Sequence, residues 1–135
     1  MKKFLPLILL ILIMVYSCGK KTQNASIPDL SQANNMSIMF KMDFDSTGKM
    51  KIKNVPITEP KKMSELKTLL NSEPFPYLYC ASSGAMNFYK DSTLLYSFAF
   101  NTEKDLRHIA YTYNNKLTAV TLSEENAKFL DSFKQ

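Results

Sequence analysis

The sequence predicts an α+β fold: a mainly antiparallel sheet of about six to seven strands with two helices packed on one face. Three observations carry this. Apolar residues alternate with period 2 in several short segments, beginning with Ile38, Phe40, Met42 and Phe44. Two segments, near 60–70 and 123–133, instead space their apolar residues as helices do. The turns between neighbouring strand segments are only a few polar residues long, too short for the crossovers of a parallel sheet.

In order along the chain, Ile38, Phe40, Met42 and Phe44 interleave with Met39, Lys41 and Asp43, as in a strand with one buried face. Asp45-Ser46-Thr47-Gly48 follows as a turn, with Gly48 suited to the positive-φ position of a type I turn with a bulge. Lys49, Lys51 and Lys53 then alternate with Met50 and Ile52, completing a hairpin whose lysines are expected on the solvent face. Thr58-Glu59-Pro60 is a helix start, since proline at the first helical position has a preset φ and no amide to satisfy. Met63, Leu66, Leu69 and Leu70 make the apolar stripe, and Asn71 to Pro76 stops it.

Five β-rich segments come next, near 77–82, 85–90, 94–100, 107–113 and 116–122. Asn114-Asn115 is the clearest turn among them, because asparagine tolerates the left-handed conformation of a two-residue hairpin. The last helix is signalled by Ser123 as N-cap, Glu124 and Glu125 near its positive end, and the apolar set Ala127, Phe129, Leu130 and Phe133.

The N-terminus carries a different kind of signal. Lys2 and Lys3 precede 13 residues, Phe4 to Tyr16, that are apolar apart from Pro6. As a helix they would reach about 20 Å, short of the roughly 30 Å hydrocarbon core, so the stretch reads as an export signal. It ends in Val15-Tyr16-Ser17-Cys18, which resembles the lipobox of bacterial lipoproteins: an aliphatic residue, a permissive position, a small residue, then cysteine. That resemblance implies diacylglycerol on the Cys18 thiol, cleavage before Cys18, and a lipid-anchored protein of the cell envelope. Gly19 stands where an aspartate would retain the protein in the inner membrane, so the resemblance further implies the outer membrane, with either face open to the domain.

Three regions result: a signal peptide over 1–17, a lipidated N-terminus and flexible tether over 18–35, and a small α+β domain over 36–135. The tether is read from composition, since Lys, Thr, Gln, Asn, Ser and Ala dominate it.

Charge and composition exclude several functions. Removing residues 1–17 takes away Lys2 and Lys3 and leaves 15 basic against 12 acidic side chains, too mild an excess for a nucleic-acid binder. With two cysteines and one histidine, no zinc site and no cofactor motif is expected. Asp43, Asp45 and Gly48 imitate the opening of a calcium loop, but Lys51 and Asn54 occupy two positions that should supply oxygen ligands. A hairpin turn is the better reading.

The remaining candidates are few. Cys80 and His108 could form a nucleophilic pair in a small thiol enzyme or hydrolase, although Tyr77-Leu78-Tyr79-Cys80-Ala81 reads as a buried strand in which a thiol is inert. His108 at a strand entrance could orient its loop or contact a partner. Tyr111 and Tyr113 share a strand face and offer either sheet packing or, with His108, a partner-binding surface. Ser82-Ser83-Gly84 reads as a tight turn. Asp45-Ser46-Thr47 and Asp91-Ser92-Thr93 resemble a short O-glycan acceptor sequence of envelope proteins, and both fall at hairpin turns. The leading functional reading is a non-catalytic binding or structural module on a membrane, with an envelope protein or glycan as partner; an inhibitor or immunity-type protein is a variant of it.

Overall fold

The computed structural model describes residues 26–76 and 81–135. Its strands are β1 (Asn35–Phe44), β2 (Met50–Ile57), β3 (Gly84–Lys90), β4 (Thr93–Asn101), β5 (His108–Tyr113) and β6 (Lys116–Thr121). Helix α1 (Pro60–Thr68) joins β2 to the long connection before β3, and helix α2 (Glu124–Asp131) follows β6 and runs into a 3-10 turn over Ser132–Lys134. The strands form one sheet in the order β2-β1-β3-β4-β5-β6, with every neighbouring pair antiparallel. The class is the α+β expected. The strand anticipated over 77–82 falls mainly outside the described residues, and Ala81 and Ser82 are not in a strand.

Register sorts the side chains as period 2 requires. Ile38 pairs with Met86, Met86 with Phe98, and Phe100 with Ile109, so these residues share one face across four strands. All are fully buried, and their cluster also includes Met63 and Leu66 of α1 and Ala127 and Leu130 of α2. Edge-to-face aromatic pairs run through it: Phe40 with Phe100 at 5.7 Å, Phe88 with Phe98 at 5.5 Å, and Phe98 with Tyr111 at 5.0 Å. Gly84 lets two layers of this cluster meet, because a Cβ there would lie 2.4 Å from both the Met39 carbonyl oxygen and the Phe100 ring. Sequence reasoning had a turn for this glycine; its role is a close approach inside the sheet.

Local chemistry explains the ends of the elements. Glu59 takes the N-cap position of α1 with Pro60 at the first turn, and the Ser123 hydroxyl caps α2 by accepting from the Asn126 amide at 3.1 Å. Asn114 and Asn115 adopt φ of 50° and 60°, and Gly48 adopts 77°, as the two hairpins require. Asp91 also has positive φ, 54°, and is held by Asn34, whose amide donates to the Asp91 carboxylate at 2.9 Å while its carbonyl accepts from the Asp91 amide at 2.8 Å.

Two sequence expectations are corrected. Residues up to 35 read as tether, yet from Ile27 the chain is packed: Leu30 and Ala33 are buried, Ile27 lies against the core, and the Leu30 carbonyl accepts from Lys67 at 3.1 Å. A few apolar residues suffice when each finds a place, which composition does not report. In the β1–β2 hairpin Lys49 and Lys51 are exposed as expected, but the expected polarity fails at Lys53 and Ile52. Lys53 pairs with Phe40 and its ammonium reaches the Lys134 carbonyl at 2.5 Å, whereas Ile52 pairs with Lys41 and is 59% exposed. A register shift between Lys41 and Phe44 and the absence of β3 beside this part of β1 account for the inversion.

Candidate functional site

The sites read from the sequence separate into those outside the described residues, those buried, and those at the surface. Cys18 and Cys80 lie outside the described residues, as do Tyr77 and Tyr79, so the Cys80–His108 pair has one described member.

His108 opens β5 and is 3% exposed. Its Nδ1 lies 2.6 Å from the Leu106 carbonyl oxygen, and its ring stacks on Phe75 at 5.0 Å and 16°. This is the loop-orienting arrangement: the imidazole ties the 102–107 connection to the strand and supports the segment that covers the edge of β6. That segment donates from the Phe75 amide to Ala119 at 2.9 Å and accepts at Glu73 from the Thr121 amide at 2.7 Å. His108, proposed from the sequence as a partner contact, is thus enclosed by its own domain.

Tyr111, the second residue of the proposed partner surface, is also buried. It is 4% exposed, packs on Phe98, and donates its hydroxyl to the Ser26 carbonyl at 3.2 Å, tying the entry of the chain to the sheet. Burial pushes its phenol pKa up, because the phenolate would lose its hydration. Tyr113, two residues on, is half-buried beside Tyr96 at 6.4 Å and is the one member of the trio that reaches solvent.

Asp45 closes the first turn. Its Oδ1 accepts from the Thr47 hydroxyl at 2.6 Å, the Thr47 amide at 2.8 Å and the Lys49 amide at 3.0 Å, and these bonds hold its carboxyl below the ordinary value. An oxygen so committed serves the turn rather than a cation. No cluster of three or more metal-ligating side chains occurs among the described residues. Ser46, Thr47, Ser92 and Thr93 are exposed in their hairpins, where an acceptor hydroxyl must be to meet a transferase. Ser83 is a structural hydroxyl, accepting from the Thr102 amide at 3.1 Å and donating to the Phe100 carbonyl at 3.3 Å.

One surface escaped the sequence reading. Phe44, Ile52, Met50 and Met42 are 64%, 59%, 39% and 38% exposed, all at the outer end of the β1–β2 hairpin and among lysines. The signal that could have revealed it is the hairpin's own composition, where lysines and apolar residues are equally periodic and either face could be solvated.

These features define an antiparallel α+β domain whose first hairpin carries exposed apolar side chains and lysines at its outer end. No protein-family model, curated protein or solved structure matches the chain. No helix of the described residues is long and apolar enough to cross a membrane.

Proposed function

We propose that the protein is a lipid-anchored component of a bacterial cell envelope, moored through Cys18, whose α+β domain acts as a non-catalytic binding or structural module. The observation that carries this is Val15-Tyr16-Ser17-Cys18 at the end of an apolar stretch that follows Lys2 and Lys3. One acyl chain anchors marginally and two or three hold a protein on a bilayer, so lipidation makes the membrane its permanent partner. Gly19 favours the outer membrane. An envelope protein or a glycan is the further partner we assign to the domain, with an inhibitor-type role as one form of that activity.

The non-catalytic reading is supported by what His108 does: a ring stacked on Phe75 with Nδ1 engaged at Leu106 is committed to packing. Both helices cover one face of the sheet in this reading. Its support is that Met63, Leu66, Ala127 and Leu130 share a cluster with Ile38, Phe40, Met86, Phe98 and Ile109.

The test is metabolic labelling with a clickable fatty acid, followed by detergent phase partition and intact-mass analysis. Wild type should carry lipid on the residue that becomes its new amino terminus and enter the detergent phase, and Cys18→Ala should lose both properties. An unmodified sulfur at position 18 in the wild type overturns the proposal.

A further inference from the structure

Phe44, Met50 and Ile52, at the outer end of the β1–β2 hairpin, are exposed. β1 pairs with β3 from Asn35 to Phe40 and the Lys41 amide donates to the Ser83 carbonyl at 2.9 Å, so among the described residues Met42 to Phe44 form a two-stranded ribbon with Met50 to Ile52. Three residues of strand project it by about 10 Å. The pairs Lys41–Ile52 and Phe44–Met50 put Phe44, Met50 and Ile52 on one face, since directly opposed residues point the same way. Exposed apolar side chains grouped in this way mark an interaction surface.

Charge narrows the occupant. Between Lys41 and Lys53 the ribbon holds four lysines against Asp43 and Asp45. Lys41 is engaged by the Ser82 hydroxyl at 2.8 Å and Lys53 by the Lys134 and Gln135 carbonyls, whereas Lys49 and Lys51 are exposed and make no ion pair among the described residues. Lys51 lies between Met50 and Ile52 in β2 and so points to the opposite side of the ribbon, which gives the tip one apolar side and one basic side. An anionic bilayer surface answers both features, because apolar side chains enter the acyl boundary while lysine stems lie along it and their ammonium groups meet phosphates.

The position of the anchor is compatible. Ser26 is held at Tyr111, which is level with Ile38 through Phe98 and Met86, so with the ribbon directed at the membrane it stands about 20 Å above the level of Phe44, measured along the strands. Seven residues separate Cys18 from Ser26, and the eight steps between them span up to about 28 Å. Lipid and ribbon tip can reach the same bilayer. Resting on the lipid-anchored reading, we infer that the ribbon, through Phe44, Met50 and Ile52 with Lys49 and Lys51, is a second membrane contact that docks the domain on anionic lipid headgroups.

The experiment uses the mature protein purified from membranes and reconstituted in phosphatidylcholine vesicles with and without phosphatidylglycerol. Lysine acetylation is then followed by mass spectrometry, with Lys61 on α1 as control. Labelling of Lys49 and Lys51 should fall about fivefold when phosphatidylglycerol is present, the factor equivalent to about 1 kcal/mol for a lysine near an anionic surface, while Lys61 is unchanged. Phe44→Ser with Ile52→Ser should remove the protection. Protein that floats with both vesicles but shows equal labelling of Lys49 and Lys51 overturns the ribbon contact and leaves the anchor standing. Protein that fails to float overturns the anchor and the contact with it. Protection seen in intact envelopes and missing in vesicles assigns the ribbon to a protein and overturns the lipid assignment.

Discussion

Phe40 and Phe44 lie four residues apart on the same strand and have opposite fates. Phe40 is fully buried against Phe100 under the Lys134 ammonium, whereas Phe44 is 64% exposed. The difference is one of neighbours. At Phe40 the strand is flanked by β2 and β3 and backed by the core; at Phe44 the pairing among the described residues is with β2 alone. Strand periodicity states which residues share a side, and only the sheet around the strand decides whether that side is interior.

The widest separation between the two positions is in stability. Phe40→Ala should destabilise the domain by about 3–5 kcal/mol, the range for removing a fully buried aromatic ring. Denaturant unfolding followed by circular dichroism measures it, and a loss below about 1 kcal/mol would mean that Phe40 is not interior. Gly84→Ala comes next, at about 1–3 kcal/mol, because the added methyl must displace the Phe100 ring and the Met39 carbonyl. The same mutation would be harmless if the glycine served only a turn. At the far end of the sheet, Ser123→Ala should cost about 1 kcal/mol by leaving the Asn126 amide without its cap acceptor.

What could be read without coordinates follows from the same contrast. Glu59-Pro60, Ser123, Gly48 and Asn114-Asn115 were legible because capping and positive φ are decided within a few residues. The core residues Ile38, Phe40, Leu66 and Leu130 were legible because periodicity coincided with a layer to pack on. The polarity of Lys53 and Ile52 was not, since it depends on a shifted register and on where β3 begins. Nor was the burial of Leu30 and Ala33, which a polar composition concealed. The proposed lipidation motif ending at Cys18 is a matter of adjacent residues, while the exposed ribbon exists only once the sheet has formed.

Protonation probes the outer end of the hairpin by itself. Hydrogen bonds from Thr47 and Lys49 lower the Asp45 pKa in the folded protein, so the carboxylate favours the folded turn at neutral pH. That contribution is present above the ordinary value of 3.8 and is lost as pH falls through the lowered folded value. Amide exchange at Gly48 and Lys49 should therefore accelerate at low pH before exchange within β3 does, once the intrinsic pH dependence is divided out. Asp45→Ala should abolish the difference. Parallel acceleration across the sheet would mean that the ribbon and the core open together.

The smallest effect is expected where the same residue type sits outside the sheet. Phe44→Ala should change unfolding free energy by no more than about 0.5 kcal/mol, since the ring already meets solvent and its removal opens no cavity. Set against Phe40→Ala, this compares one substitution at two points on a single strand, so differences in propensity largely cancel and neighbours remain. A loss as large as that of Phe40→Ala would place Phe44 in the interior and remove the apolar face from the ribbon. A silent mutation leaves Phe44 free to act on something outside the domain, which is the condition a membrane contact requires.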